Sequence, residues 1–398
     1  VLVTYFEDLA KHNKNAFASY MDFFAGGAFS NFSVFMLGVM PYVSTQIILQ
    51  LALIIFPSLK RIAQEDGGQR KVAAWTRIGT VFVCLIQSLA VTVYAASIPG
   101  AIALENQLAF KLLAMLTVTT GAMITVWLGD QITAHGIGNG ISILIFAGIV
   151  ARLPHAVLEL RNRVADGSLN PVFVIIVLLM FIAIIAFVVY EQSGERKIPV
   201  HYAKRVVGNK MYGGQTSYLP LKIDQSGVIA VIFAMSVMSM PLTVAQFMPN
   251  SPWAQRIMEW MGRGNISYSL IYIALIIFFC YFYNSMTFNP KDIAENMKKW
   301  GGFIPGIRPG DPTRIYIEGI MNRITFWGAI FVSLIAVLPD FMRMKFNVPF
   351  YFGGTALLIV VGVALDTVGQ IQAHLLAHNY QPLMKGNRIK GRWFNVGE

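Results

Sequence analysis

The chain has 398 residues, 56% hydrophobic and only 13% charged, with a mean hydropathy of +0.58. Soluble domains carry about 25% charged residues, so water is not its main solvent and an ordinary soluble domain is excluded. The formal net charge of +11 does not point to sequence-specific nucleic-acid binding, because the Lys and Arg residues sit in loops between apolar runs and form no basic face.

Val1 is not an initiator methionine, and no short apolar stretch with a basic flank precedes the first long run. The chain is therefore expected to begin partway through a longer gene product. Residues 15–30 are weakly apolar, too short to cross a bilayer, and end near Gly26 and Gly27. A helix there would lie at the interface or fold back into a cavity shielded from lipid.

A hydrocarbon layer about 30 Å thick needs roughly 20 apolar residues per helical span. Such runs occur at about 32–56, 76–96, 109–129, 137–151 with an amphipathic extension, 171–190, 225–248, 268–287, 323–338 and 352–375. The spacing thus predicts nine transmembrane helices. A β-barrel would show alternating segments about ten residues long, whereas runs such as 173–189 are continuously apolar. Cys84 and Cys280 lie inside different runs without metal-ligand spacing, which leaves them as core or lipid-facing thiols.

Basic residues are retained on the cytoplasmic side of membranes. The loops near 60–77, 196–222 and 291–323 and the tail from 385 carry Lys and Arg over the opposite side by about two to one. This places the start of the chain outside and its tail in the cytoplasm. Two cytoplasmic loops, 191–224 and 288–322, are long for a helical bundle and basic, which suits docking of a cytoplasmic partner or mere fixing of orientation.

Several chemistries fail on their residues. Gly136, Gly138 and Gly140 open an apolar helix instead of following a strand in a soluble αβ unit, so they read as a tight turn and close helix packing, not a phosphate loop. His374 and His378 are four apart, but the text HLLAH lacks the glutamate of a zinc protease and a third ligand. Asp130 and Asp366 do not share one depth in the way an intramembrane aspartyl protease requires. No G-x-S-x-G element marks a serine hydrolase. A secondary transporter of small solutes is the serious alternative. Such proteins place ionisable residues near the midplane, and these spans are nearly bare of them, Asp366 being the main exception.

Longer motifs then carry a family likeness. GGAFSNFSVFMLGVMPYVSTQIILQL from Gly26, GDQITAHGIGNGISILIFAGIVA from Gly129, FNPKDIAENMKKWGGFIPGIRPGDPT from Phe288 and VPFYFGGTALLIVVGVALD from Val348 resemble the SecY family. YAKR at Tyr202 and LPLK at Leu219 do so too, and the likeness runs in order from about 18 to 391. It implies an all-α membrane protein: a SecY-type helical bundle of two inverted halves around a central pore, with the first family helix and its cytoplasmic leader absent from this chain. The implied organisation is 1–31 as an external segment with a plug, 32–165 as the rest of the N-terminal half, 171–378 as the C-terminal half and 379–398 as a cytoplasmic tail.

The resemblance also assigns residues. The pore ring falls on Val39, Val43, Ile141, Ile145, Ile232 and Ile359, a choice composition alone does not make. β-branched side chains are stiff at χ1 and offer ions no ligand to replace their water, so such a ring would close around a chain or on itself. The plug carries Phe23, Phe24, Gly26 and Gly27, the glycines serving as a hinge. A lateral gate, where Gly38, Pro41, Gln50 and Ser236 lie, is implied between the first span and those at 225–248 and 268–287, with Gly38 and Pro41 expected to bend the first. Docking is implied at Arg308, Lys204, Arg205 and Lys210. The implied partners are SecE and SecG, the SecA motor or the ribosome, signal peptides, nascent chains and lipids, with no cofactor, no metal and no catalysis. A bacterial plasma membrane location follows from the same likeness.

Overall fold

The computed structural model describes residues 26–28, 31–96, 107–167, 171–202, 205–207, 210–212, 216–223, 227–246, 251–261, 265–346 and 354–386. The first helix, α1, spans Met40–Ile55 and opens late, because Gly38 is left-handed (φ +53) and Pro41 sits in the first turn. Proline is well placed there, where its missing N–H has no partner to lose. This corrects the expectation that Gly38 and Pro41 bend the helix: they start it. The bend falls at its other end. Pro57 holds Phe56 extended (φ −105, ψ 102), and the next helix, α2 (Pro57–Gln64), leaves at 109°.

Helices α3 (Gly68–Ala96) and α4 (Gln107–His135) pack side by side. At 29 residues each they run about 43 Å, longer than the hydrocarbon layer. Arg77 on α3 bridges to Asp130 on α4, with Nη2 2.8 Å and Nε 3.1 Å from Oδ2. Ser88 and Thr119 meet between the same helices at 3.4 Å.

The glycine-rich turn at 136–139 reverses the chain into α5 (Gly140–Ala151). Gly138 is left-handed (φ +90), and the Asn139 side chain caps the helix by accepting from Ile141 N–H at 3.1 Å and Ser142 N–H at 3.3 Å. Thr133 Oγ1 accepts the Gly140 N–H at 2.8 Å. A Cβ on Gly140 would collide with the Gly129 carbonyl oxygen, so only glycine lets α5 fold back on α4. The expected turn and close packing are what these glycines provide.

Helix α6 (Leu153–Ala165) is the amphipathic extension, and α7 (Pro171–Gln192) crosses next. Ile175, Ile176, Leu179 and Ile182 on α7 are each more than half exposed, a surface suited to lipid and not to water. The 191–224 loop is a β-structure: β1 (Glu195–Tyr202), β2 (Arg205–Val207), β3 (Lys210–Tyr212) and β4 (Thr216–Lys222). There follow α8 (Gly227–Gln246), α9 (Pro252–Trp260), α10 (Ile266–Thr287), α11 (Pro290–Lys299), β5 (Gly302–Phe303), α12 (Asp311–Phe346) and α13 (Gly354–Gly386). The second long loop is thus shorter than expected. Asp311 in the first turn of α12 favours the positive helix end, and Arg314 bonds Asp311 and Glu318 one turn either way, so the helix begins twelve residues before the anticipated 323.

All nine expected spans fall on helices. Among the described residues seven helices are long and apolar enough to cross a membrane, with α1 and α2 together making an eighth if counted as one broken span. The remaining expected span is α8, whose apolar part, Val228–Leu242, is shorter and contains Pro241. One hydrophobic core joins α1, α3, α4, α5, α7, α8, α10, α12 and α13. A second, smaller core lies under the sheet that carries β1, β4 and β5.

Candidate functional site

Five of the six aliphatic residues expected to form the ring are buried. Val39 and Val43 come from the start of α1, Ile145 from α5, Ile232 from α8 and Ile359 from α13, none more than 6% exposed. Ile141, at the start of α5, is half-buried against the same core cluster that holds the other five. The contributing helices form a chain of neighbours, with α1 packed on α8, α8 on α13 and α13 on α5. These residues, from four elements, thus belong to the one hydrophobic core of the bundle. Among the described residues Glu191, at the C-terminal end of α7, is the one buried carboxylate, and Asp366 is exposed. A relay of ionisable groups through the bundle, which a coupled transporter needs, is not built from these residues.

The seam between α1, α3 and α8 is different in character. Helix α8 packs on both α1 and α3. Within this group of helices Ser44 Oγ, Gln50 Oε1, Gln87 Oε1 and Ser236 Oγ are buried without a hydrogen-bond partner among the described residues. Other hydroxyls on the same helices are satisfied locally: Thr45 donates to the Pro41 carbonyl at 2.8 Å, and Thr80 to the Thr76 carbonyl at 2.7 Å. Each orphaned polar group costs about 1–3 kcal/mol. Gln50 and Ser236 were expected here; Ser44 and Gln87 were not. A glutamine in the middle of an apolar span was the signal that could have found Gln87. Helix α10 joins through α8, where Phe233 meets Phe279 edge-to-face at 5.8 Å.

Ahead of α1, Gly26 and Gly27 are both left-handed (φ +61 and +90) and lie against α5 at Gly148 and Arg152. Phe23 and Phe24 lie outside the described residues.

The two long loops make one unit. Strand β1 lies in the centre of the sheet order β4-β1-β5, pairing antiparallel with β4 from Glu195↔Lys222 to His201↔Thr216 and with β5 at His201↔Phe303. Ile198, Leu221, Ile304, Ile317, Ile320 and Met321 fill the core beneath it. Arg308 stands exposed at the tip of the turn that follows β5. Its backbone is pinned: the Thr313 hydroxyl donates to the Arg308 carbonyl at 2.8 Å, and the flanking Gly306 and Gly310 are left-handed (φ +81 and +108). No carboxylate pairs with Arg308 among the described residues, whereas neighbouring Arg314 is committed to Asp311 and Glu318. Arg205 and Lys210 sit on the small β2–β3 ribbon, and Lys204 lies outside the described residues. Among the described residues no three His, Cys, Asp or Glu side chains could hold a metal ion.

With this geometry in hand, a family model described as SecY matches residues 33–368. The chain belongs to the SecY family. It is 44% identical over 387 residues to the protein translocase subunit SecY of Pseudomonas aeruginosa, covering 96% of this chain and 87% of that one. The SecY subunits of Aquifex aeolicus and Escherichia coli K12 are 44% and 40% identical, covering 93% and 96% of this chain and 87% and 88% of theirs. Among solved structures, a protein-conducting channel superposes with a TM-score of 0.66 at 20% identity, covering 90% of this chain and 85% of that one. Sec61 from the canine ribosome–channel complex of the endoplasmic reticulum gives 0.60 at 19% identity, covering 86% and 82%. The SecY-type bundle expected from the motifs is therefore the fold, and the chain is a multi-pass membrane protein.

Proposed function

We propose that this SecY-family chain is the central subunit of a protein-conducting channel, passing unfolded secretory polypeptides across a membrane and releasing transmembrane segments sideways into lipid. The observation that carries the reading is that Val39, Val43, Ile145, Ile232 and Ile359, from four packed helices, are all buried in the one hydrophobic core of the bundle, with Ile141 packed against it. A constriction lined by such residues excludes ions by dewetting while side chains of an extended polypeptide can replace its own packing contacts. No bond is made or broken there. The work comes from a partner, and the basic turn at Arg308 with the β2–β3 ribbon is the surface on which SecA or a ribosome would dock. The structure of Sec61 described above was obtained with a ribosome, as was that of yeast Ssh1, TM-score 0.58 at 17% identity, which supports such docking.

The seam between α1 and α8 is the lateral gate. An apolar segment leaving through it gains about 0.3–0.6 kcal/mol for each Leu, Ile or Phe and loses roughly 2.5–3.5 for a central charge. Ten residues of ordinary sequence are enough for those terms to choose between insertion and export. Residues 18–30 act as the plug; a solved SecY at TM-score 0.64 is described as having a plug domain that stabilises its closed state and maintains a membrane seal. The halves divide between 165 and 171, SecE and SecG complete the complex, the membrane is the bacterial plasma membrane, and the tail after 379 is cytoplasmic.

The test is reconstitution. Vesicles holding this chain with its single-span partners should import an unfolded secretory precursor when SecA and ATP are added. Import that is absent under those conditions, together with uptake of a small solute without partners, would favour the transporter instead.

A further inference from the structure

Ahead of α1, backbone touches backbone. A Cβ built on Gly26 would lie 3.0 Å from Cα and 3.2 Å from the carbonyl oxygen of Gly148 on α5. Both its left-handed φ and the lack of space therefore demand glycine at 26. A Cβ on Gly27 would lie 3.6 Å from Nε and 3.8 Å from Nη2 of Arg152, so the guanidinium flanks that residue. This turn is tied to the start of α1: the Asn31 side chain donates to the Gly27 carbonyl at 3.1 Å, and the Ser33 N–H to the Ala28 carbonyl at 3.1 Å.

The other side of the contact is rigid. Arg152 caps the C-terminal end of α5, its N–H donating to the Ile149 and Val150 carbonyls, and Pro154 opens α6 directly after it. Ile141, Ile145, Gly148 and Arg152 follow the spacing of four, three and four residues that places them along one face of a helix. A single stripe of α5 therefore carries two ring isoleucines and, beyond them toward the outside, the two residues that meet the glycine turn.

We propose that Gly148 and Arg152 form a seat and a latch that hold the Gly26–Gly27 turn closed over the outer side of the pore, a proposal that rests on reading residues 18–30 as the plug. Gly148 supplies the close approach and Arg152 the guanidinium that flanks Gly27. Both are positioning residues: they touch the plug, not the transported chain's waist.

The measurement is resting ion flux through the complete complex in vesicles, alongside its melting temperature. R152A is expected to raise resting flux about tenfold, the consequence of losing one ordinary contact, while R152K retains most of the seal. G148A is expected to leak without a lower melting temperature, since alanine is a better helix former than glycine; a merely structural role predicts the reverse. Deletion of residues 18–27 is the control. If the deletion leaks but R152A and G148A are as tight as the parent, or R152K leaks as freely as R152A, the seat and latch are overturned and the plug stands. If the deletion itself leaves flux unchanged, the plug reading fails and takes this proposal with it.

Discussion

Single residues matter most where the bundle leaves no room for alternatives, and Gly140 and Ile232 illustrate opposite cases. At Gly140 a methyl group would strike the Gly129 carbonyl where α5 folds back on α4. The overpacking cost of about 1–3 kcal/mol exceeds the gain in helix propensity, at most about 1 kcal/mol. Gly140→Ala should therefore lower the melting temperature of the purified complex, and an unchanged or raised value would mean that α4 and α5 separate at no cost. Ile232 is constrained by chemistry more than by space. Replacing it with Ser removes apolar surface and adds a hydroxyl in the uncharged cluster, which lowers the barrier to water at the waist. Resting ion flux should rise in Ile232→Ser while precursor import continues; flux equal to that of the parent would remove Ile232 from the ring.

At the scale of helices, α1, α3 and α8 pack together and carry four buried polar groups that have no hydrogen-bond partner among the described residues. In the proposed lateral gate, that cost is relieved when a signal helix or water satisfies those groups. Gln87→Leu, similar in size and free of polar atoms, should stabilise the closed seam by about 1 kcal/mol. Precursors with weakly apolar signals should then be exported more slowly than strongly apolar ones, relative to the parent. Equal slowing of both classes would indicate a general defect and not a stiffer gate. The membrane helices were legible in the sequence because hydrocarbon demands long apolar runs, and 171–190 or 268–287 could be little else. Their ends were less so: a proline at 41 reads equally well as a kink or as a helix start, and only the left-handed Gly38 before it decides for the start. Gln87 was not legible because an uncharged amide barely lowers the hydropathy of its span, although burying it without a partner still costs a few kcal/mol.

Across the whole molecule, the two long loops are separated in sequence by two membrane helices yet share one sheet and one small core. Nothing local in either loop announces this, since the pairing of His201 with Phe303 spans about a quarter of the chain and is decided by tertiary packing. Its consequence is that Arg308 is held by residues from both loops: β5 anchors the turn to β1, Ile304 and Ile317 bury beneath it, and Thr313 fixes its backbone. Arg308 presents a planar fork of donors suited to a carboxylate, so Arg308→Glu should abolish SecA-driven export by reversing the charge at the contact while membrane insertion of the channel itself persists. Ile317→Asp acts by another route. It places a carboxylate in a core where Ile317 is fully buried, at a cost of several kcal/mol, and should loosen both loops while the bundle core remains. Protease accessibility of the 195–222 segment should therefore rise in Ile317→Asp but not in Arg308→Glu, with motor-driven export lost in both. Should Ile317→Asp expose only its own loop and leave 195–222 protected, the two loops are separate docking elements, and the sheet that joins them does not transmit force between them.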